Sequence, residues 1–230
     1  MEALRKRIND FVNLFYPNVC ACCGMNLLHN EYLICNHCLY KLPKTNYHQE
    51  RNNPLEQIFW GKVKIESAAA FFFYNKGSKY QRLIHQMKYN GLKDLGYELG
   101  KMYGSELISS VFSSVDVIVP VPLHPKKERR RGYNQSDWIA EGIAKTMRKP
   151  IERHNLCRIK ANETQTRKSR IERWENVQDI FIVKNVNFFT NKHVLLIDDV
   201  ITTGATLEAC TAQILQCENT RVSIATLAVA

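Results

Sequence analysis

Apolar residues fall into two alternating rhythms along this chain. Continuous short runs read as buried strands at residues 65–74, 115–122, 155–159, 181–183, 194–197 and 221–230. Between them, apolar residues recur at helical spacing, as in Leu83, Ile84 and Met87, and in Leu95, Leu99, Met102, Tyr103, Leu107 and Ile108 within a helix expected over 92–112. A third helical pattern runs through Trp138, Ile139, Ile143, Ala144 and Met147, and a fourth through Leu207, Cys210, Ile214 and Leu215. Strands alternating with helices predict an α/β fold with a mainly parallel sheet and right-handed crossovers.

Two stretches depart from these rhythms. Residues 160–177 are polar and basic with no apolar face, a length at which loops often carry function, and they are read as a lid. Residues 1–15 place Leu4, Ile8, Phe11, Val12 and Phe15 on one helical face, an amphipathic helix interrupted by too many polar residues for a signal sequence. No run is long enough to cross a bilayer, which takes about 20 apolar residues. A cytoplasmic protein without stable membrane insertion is expected, held at the inner face of the membrane, if at all, by its partners.

The 230 residues suffice for one good-sized core and a small module. Five of the eight cysteines lie between Cys20 and Cys38, and Cys20, Cys23, Cys35 and Cys38 form two C-x2-C pairs separated by eleven residues. That spacing suits a structural four-thiolate zinc site, with Gly24 easing the turn, Cys22 spare and His37 turned to solvent. A polar stretch over 44–55 places a boundary near residue 50, giving a zinc module over 1–50 and a larger domain over 51–230. The formal charge is +10, and +8 with zinc on four thiolates; either favours polyanionic ligands or nucleic acid without choosing between them.

The densest chemistry lies in residues 194–206. Four apolar residues lead to Asp198 and Asp199, and Thr202, Thr203, Gly204, Ala205 and Thr206 open a helix. A helix start carries unpaired N–H groups and partial positive charge, so the turn suits a phosphate. Acids at the carboxyl end of a strand can accept from a sugar diol or help hold hydrated Mg²⁺. The second anion candidate is the arginine run before Gly132, read as an extended loop with Arg129 and Arg131 on one face and Arg130 outward. Arginines ahead of a helix oppose its dipole unless an anion joins them. His85 and Lys88 are read as surface groups that could face a ligand, and Asn134 or Ser136 as a helix cap.

The thirteen-residue string resembles the phosphoribosyl-pyrophosphate (PRPP) motif of type I phosphoribosyltransferases. Together with the double C-x2-C, Val119-Pro120-Val121-Pro122, Arg131-Gly132-Tyr133-Asn134-Gln135 and Arg173-Trp174-Glu175-Asn176-Val177, it resembles the ComF family of competence-associated, phosphoribosyltransferase-like proteins over nearly the whole chain. The resemblance implies a type I phosphoribosyltransferase-like core and a part in natural DNA uptake beside a DNA-translocating helicase and other competence proteins. This chain has no G-x4-G-K-[ST] loop, so it is not itself that helicase.

Two functions stay open. In the first, Asp198 and Asp199 serve a Mg²⁺-dependent phosphoribosyl transfer to an unknown acceptor, with the 5-phosphate on Thr202–Thr206 and pyrophosphate on Arg129 and Arg131. In the second, the fold is a non-catalytic adaptor or nucleotide sensor that binds single-stranded DNA, for which only Trp174 and Tyr133 offer stacking near the basic tract.

Overall fold

The apolar run ahead of the acids becomes a central strand. The computed structural model describes residues 17–159 and 180–230. The strands are β1 (Ser67–Phe73), β2 (Val117–Pro120), β3 (Leu156–Arg158), β4 (Phe181–Val183), β5 (His193–Ile201) and β6 (Arg221–Val229). The α-helices are α1 (Asn36–Tyr40), α2 (Pro54–Gln57), α3 (Gln81–Tyr89), α4 (Lys93–Leu107), α5 (Pro125–Arg131), α6 (Gln135–Met147), α7 (Val186–Phe189) and α8 (Ala205–Ile214).

Four strands form one sheet in the order β1-β6-β5-β2, and every pairing is parallel. Both faces are covered, which is why these strands read as unbroken apolar runs. Successive side chains on β5 serve opposite layers. Leu195 and Ile197 pack with α3, α4 and α6, whereas Val194 and Leu196 pack with α8 and Phe189 of α7. The α/β class with a mainly parallel sheet and an N-terminal cysteine cluster is the one the sequence predicts.

Three features position the chemistry. The β2–β5 register pairs Pro120 with Ile197, so the loops after both strands leave from the same edge of the sheet. Asn134 ties the start of α6 to that edge by donating to the Val121 carbonyl at 3.0 Å. The cysteine segment is not a separate layer: Cys20, Cys22, Ile34, Cys35, Cys38 and Leu42 share one apolar cluster with α3, α4 and α6.

Two local expectations are corrected. The acids do not end the strand, because β5 runs on to Ile201 and Val200 and Ile201 still pair with Ala228 and Val229 of β6. The arginine run is not an extended loop but the last turn of α5. Pro125 at its first turn, a His124 ring nitrogen accepting from Lys126 N at 3.2 Å, and Gly132 in the left-handed conformation delimit that helix. Arginines there favour the dipole, so the cost argued for them in a pre-helix loop does not exist. The amphipathic segment at the N-terminus and the 160–177 tract lie outside the described residues. Among the described residues, no helix is long and apolar enough to cross a membrane.

Candidate anion site and cysteine cluster

Cysteine spacing is local information, and the structure uses it directly. Cys35 caps α1 and Cys38 lies on its first turn, so the second pair faces the first across a tight turn at Cys20–Cys23. The four sulfurs of Cys20, Cys23, Cys35 and Cys38 lie within 4.8 Å of one another, and Cys23 Sγ is 3.8 Å from Cys35 Sγ. Zinc–thiolate bonds of about 2.3 Å in a tetrahedron require sulfur–sulfur edges of about 3.8 Å, so the cluster can hold zinc. Cys35 N donates to Cys20 Sγ at 3.3 Å. Burial raises the Cys20 thiol, but N–H groups of Cys23, Cys35 and Cys22 outweigh it and bring the group to about 7. Cys38 is pushed up, first by burial and then by the crowding thiols, a penalty that a cation would relieve. Cys22 is buried beside the cluster, in reach of Cys38 and with its sulfur 3.6 Å from the Lys79 carbonyl, and His37 is exposed.

At the edge shared by β2 and β5, the two acids diverge as neighbours on a strand must. Asp198 Oδ1 accepts from Ser136 Oγ and from Asp199 N, each at 2.9 Å. Asp199 Oδ2 lies 2.9 Å from Lys88 Nζ. Burial, and then the negative charge of Asp199, raises the Asp198 carboxyl to about 7. The hydrogen bonds and Lys88 only partly counter this.

Beyond β5 the chain turns at Gly204, whose φ of +78° suits glycine. A Cβ there would lie 2.8 Å from Ile58 Cγ2, so the turn is also pressed against the segment after α2. No side chain caps α8, and its first-turn N–H groups open on a small cavity. Asp198, Val200, Ile201 and residues 202–207 line about 50 Å³, several times the roughly 10–15 Å³ a single water needs. Thr202, Thr203 and Ala205 are exposed at its mouth. A larger groove of about 580 Å³ runs between the cysteine segment and α3, but its lining includes one acid, Glu31, and no acid pair.

The arginines part company on the helix. Arg129 and Arg130 are exposed, while Arg131 turns inward, its Nη1 donating to Gln135 Oε1 at 2.7 Å and its guanidinium 5.7 Å from the Tyr89 ring centre. Residues two apart on a helix lie about 200° around it, so Arg129 and Arg131 do not share a face. Among the described residues, the buried polar atoms without a hydrogen-bond partner are the hydroxyls of Ser78, Tyr103 and Thr211 and three N–H donors, Arg131 Nε, Gln135 Nε2 and Arg158 Nε. Arg158 stacks over Phe181 at 5.3 Å, and burial pulls its guanidinium below the ordinary value, partly offset by Cys210 and Asp198. Lys127 is pushed below its ordinary value, first by loss of water and then by Arg158, Arg131 and Arg130. A cluster of positive groups with orphaned donors beside two acids is suited to an oxyanion.

Three participants are not in the sequence-derived set. Ser136 is named there only as a cap, Lys88 only as a surface group that could face a ligand, and Arg158 not at all. Arg158 carried one signal: it lies two residues from buried Leu156 on a strand, and so on the same face.

No family model matches the chain. Over 93 residues it is 37% identical to Competence protein F of Haemophilus influenzae, covering 40% of this chain and 41% of that protein. With Competence protein ComFC of Bacillus subtilis it shares 39% identity over 104 residues, 43% of this chain and 40% of the relative. DNA utilization protein YhgH of Escherichia coli K12 is 26% identical over 193 residues, 82% of this chain and 74% of the relative. The alignments to the two competence proteins thus span well under two thirds of those relatives. Among solved structures, the glutamine PRPP amidotransferase from B. subtilis complexed with ADP and GMP is 20% identical with a TM-score of 0.44, covering 62% of this chain and 30% of that one. A hypoxanthine phosphoribosyltransferase from Staphylococcus aureus is 17% identical with a TM-score of 0.38, covering 60% and 64%.

Proposed function

We propose, for a chain that resembles the ComF family and is similar at modest identity to competence and DNA utilization proteins, that the β2–β5 edge binds PRPP with Mg²⁺ as part of a task in DNA uptake or utilization. The observation that carries this reading is the sequence of parts along one edge: an acid pair, a left-handed glycine, and an uncapped helix start over a phosphate-sized cavity. In it, the 5-phosphate sits on residues 202–206, the ribose hydroxyls on Asp198 and Asp199, and the diphosphate on Arg131 with Lys127 and Arg158. Arg129, exposed on the far side of α5, would engage only the outer end of the diphosphate. Asp198 and Asp199 would help hold hydrated Mg²⁺, which would supply countercharge to the leaving group. Phosphoribosyl transfer, if catalysed, would rest on Asp198 and Asp199 holding an oxocarbenium-like sugar, with an acceptor arriving from the opposite face. The zinc module over 1–50 and the larger domain over 51–230 would act as one unit, through their common apolar cluster.

Calorimetric titration with PRPP and Mg²⁺ tests this. Wild type is expected to bind one equivalent, and the double variant Asp198→Asn, Asp199→Asn to bind at least tenfold more weakly, since two charged acceptors are lost. Absence of binding by wild type would end the reading.

A second reading has its own observation. Lys126, Lys127, Arg129 and Arg130 are all exposed on α5 and form a basic face suited to a phosphodiester backbone. Such a face would let the protein serve as an adaptor for single-stranded DNA beside an uptake helicase and other competence proteins. Fluorescence anisotropy with an oligonucleotide should show affinity falling steeply with salt, and Lys126→Glu with Arg130→Glu should flatten that slope; salt-insensitive binding would count against it.

A further inference from the structure

Among the described residues, Lys88 is the one cation paired directly with the second acid. It lies on the last turn of α3, where a lysine would ordinarily extend into water. Here its side chain is 24% exposed and that of Asp199 12%, with 2.9 Å between them. The neighbouring contacts hold the end of α3 in place. The Tyr133 hydroxyl donates to the Met87 carbonyl, and Arg131 of α5 lies against Tyr89. The end of α3 therefore joins the acid strand to the arginine helix, with Lys88 on one side and Arg131 on the other.

An ammonium has three N–H donors, and Asp199 Oδ2 is its ion-pair partner among the described residues. Its remaining donors are free to meet a second anion, and the anion sought by Arg131, Gln135 and Arg158 belongs on that same edge. A carboxylate engaged by an ammonium is also less available to a sugar diol.

We propose that Lys88 is a ligand-binding residue that exchanges partners: with the site empty it neutralises Asp199, and when a diphosphate binds it moves to a phosphate oxygen and releases Asp199 to the ribose hydroxyls. This rests on the PRPP reading of the edge and adds to it a specific coupling. The diphosphate half of the ligand prepares the sugar half, through one side chain. A ligand with sugar and 5-phosphate but no diphosphate must compete with Lys88 for Asp199.

The coupling predicts opposite effects on two ligands. In the full chain, Lys88→Met should weaken PRPP binding about tenfold or more, the scale of one lost charge-assisted hydrogen bond. The same variant should bind ribose 5-phosphate as well as wild type or better, and Lys88→Arg should recover most PRPP affinity. Equal PRPP affinity in wild type and Lys88→Met would overturn the proposal. So would parallel weakening of both ligands, which is what a merely structural ion pair would give. Wild type binding neither ligand would instead remove the PRPP reading on which the proposal stands, and the proposal with it.

Discussion

Asp198→Asn is expected to stabilise the ligand-free protein at pH 8 and to leave its stability unchanged at pH 4. The reason is the direction in which folding moves the carboxyl. Its ordinary value is 3.8, and burial together with the negative charge of Asp199 carries it to about 7 in the folded chain. Folding thus favours the protonated form. The associated stability is complete below about pH 4, is lost as pH rises through 7, and stays lost above it. The full rise corresponds to about 4 kcal/mol, and because the strand's end is reached by water, roughly 2 kcal/mol is the expected difference at pH 8. Asparagine keeps an oxygen for Ser136 and for the Asp199 amide, so the substitution preserves those two bonds. Chemical denaturation of both proteins across pH 4–8 measures the effect; a constant difference across that range would show that Asp198 is not a strained acid. Natural retention of such an acid makes sense for a site that binds a cation-bearing ligand. On this account PRPP with Mg²⁺ should bind more tightly as pH rises through 7.

The second large effect concerns the cysteines. Four sulfurs within 4.8 Å of one another are joined to the same apolar cluster as α3, α4 and α6, so loss of a bound metal would be felt in the layer that carries Lys88 and Ser136. Structural zinc contributes about 10–16 kcal/mol in isolated finger peptides, and removing one ligand commonly leaves the rest unable to hold it. Cys38→Ser is therefore expected to abolish zinc retention and cost at least about 3 kcal/mol of stability, whereas Cys22→Ser should keep one zinc per chain. Elemental analysis and thermal unfolding with and without chelator separate these outcomes. A chain purified without zinc and indifferent to chelator would refute the metal assignment, and a zinc-free Cys22→Ser would refute the ligand set.

What the sequence disclosed follows from how local each signal is. Cysteine ligands three positions apart, and a strand, acids and glycine turn within thirteen residues, are set by neighbouring positions, so both were readable. The end of β5 was not, because Val200 and Ile201 are kept in the sheet by Ala228 and Val229 of β6, partners 28 residues later in the chain. The α5 helix escaped because it has no apolar periodicity; its proline start and glycine end were the available signs. Lys88 and Arg158 needed tertiary knowledge, since a charged residue looks the same in sequence whether it meets water or an acid.

The central claim is that a phosphate of the ligand sits on the start of α8 behind the acid pair. Amide hydrogen exchange with and without PRPP and Mg²⁺ tests it most directly. The account predicts slowed exchange at residues 203–207, whose N–H groups would be engaged by the 5-phosphate, with weaker protection near Arg131. Saturating ligand that leaves the amides of 203–207 unchanged would contradict it.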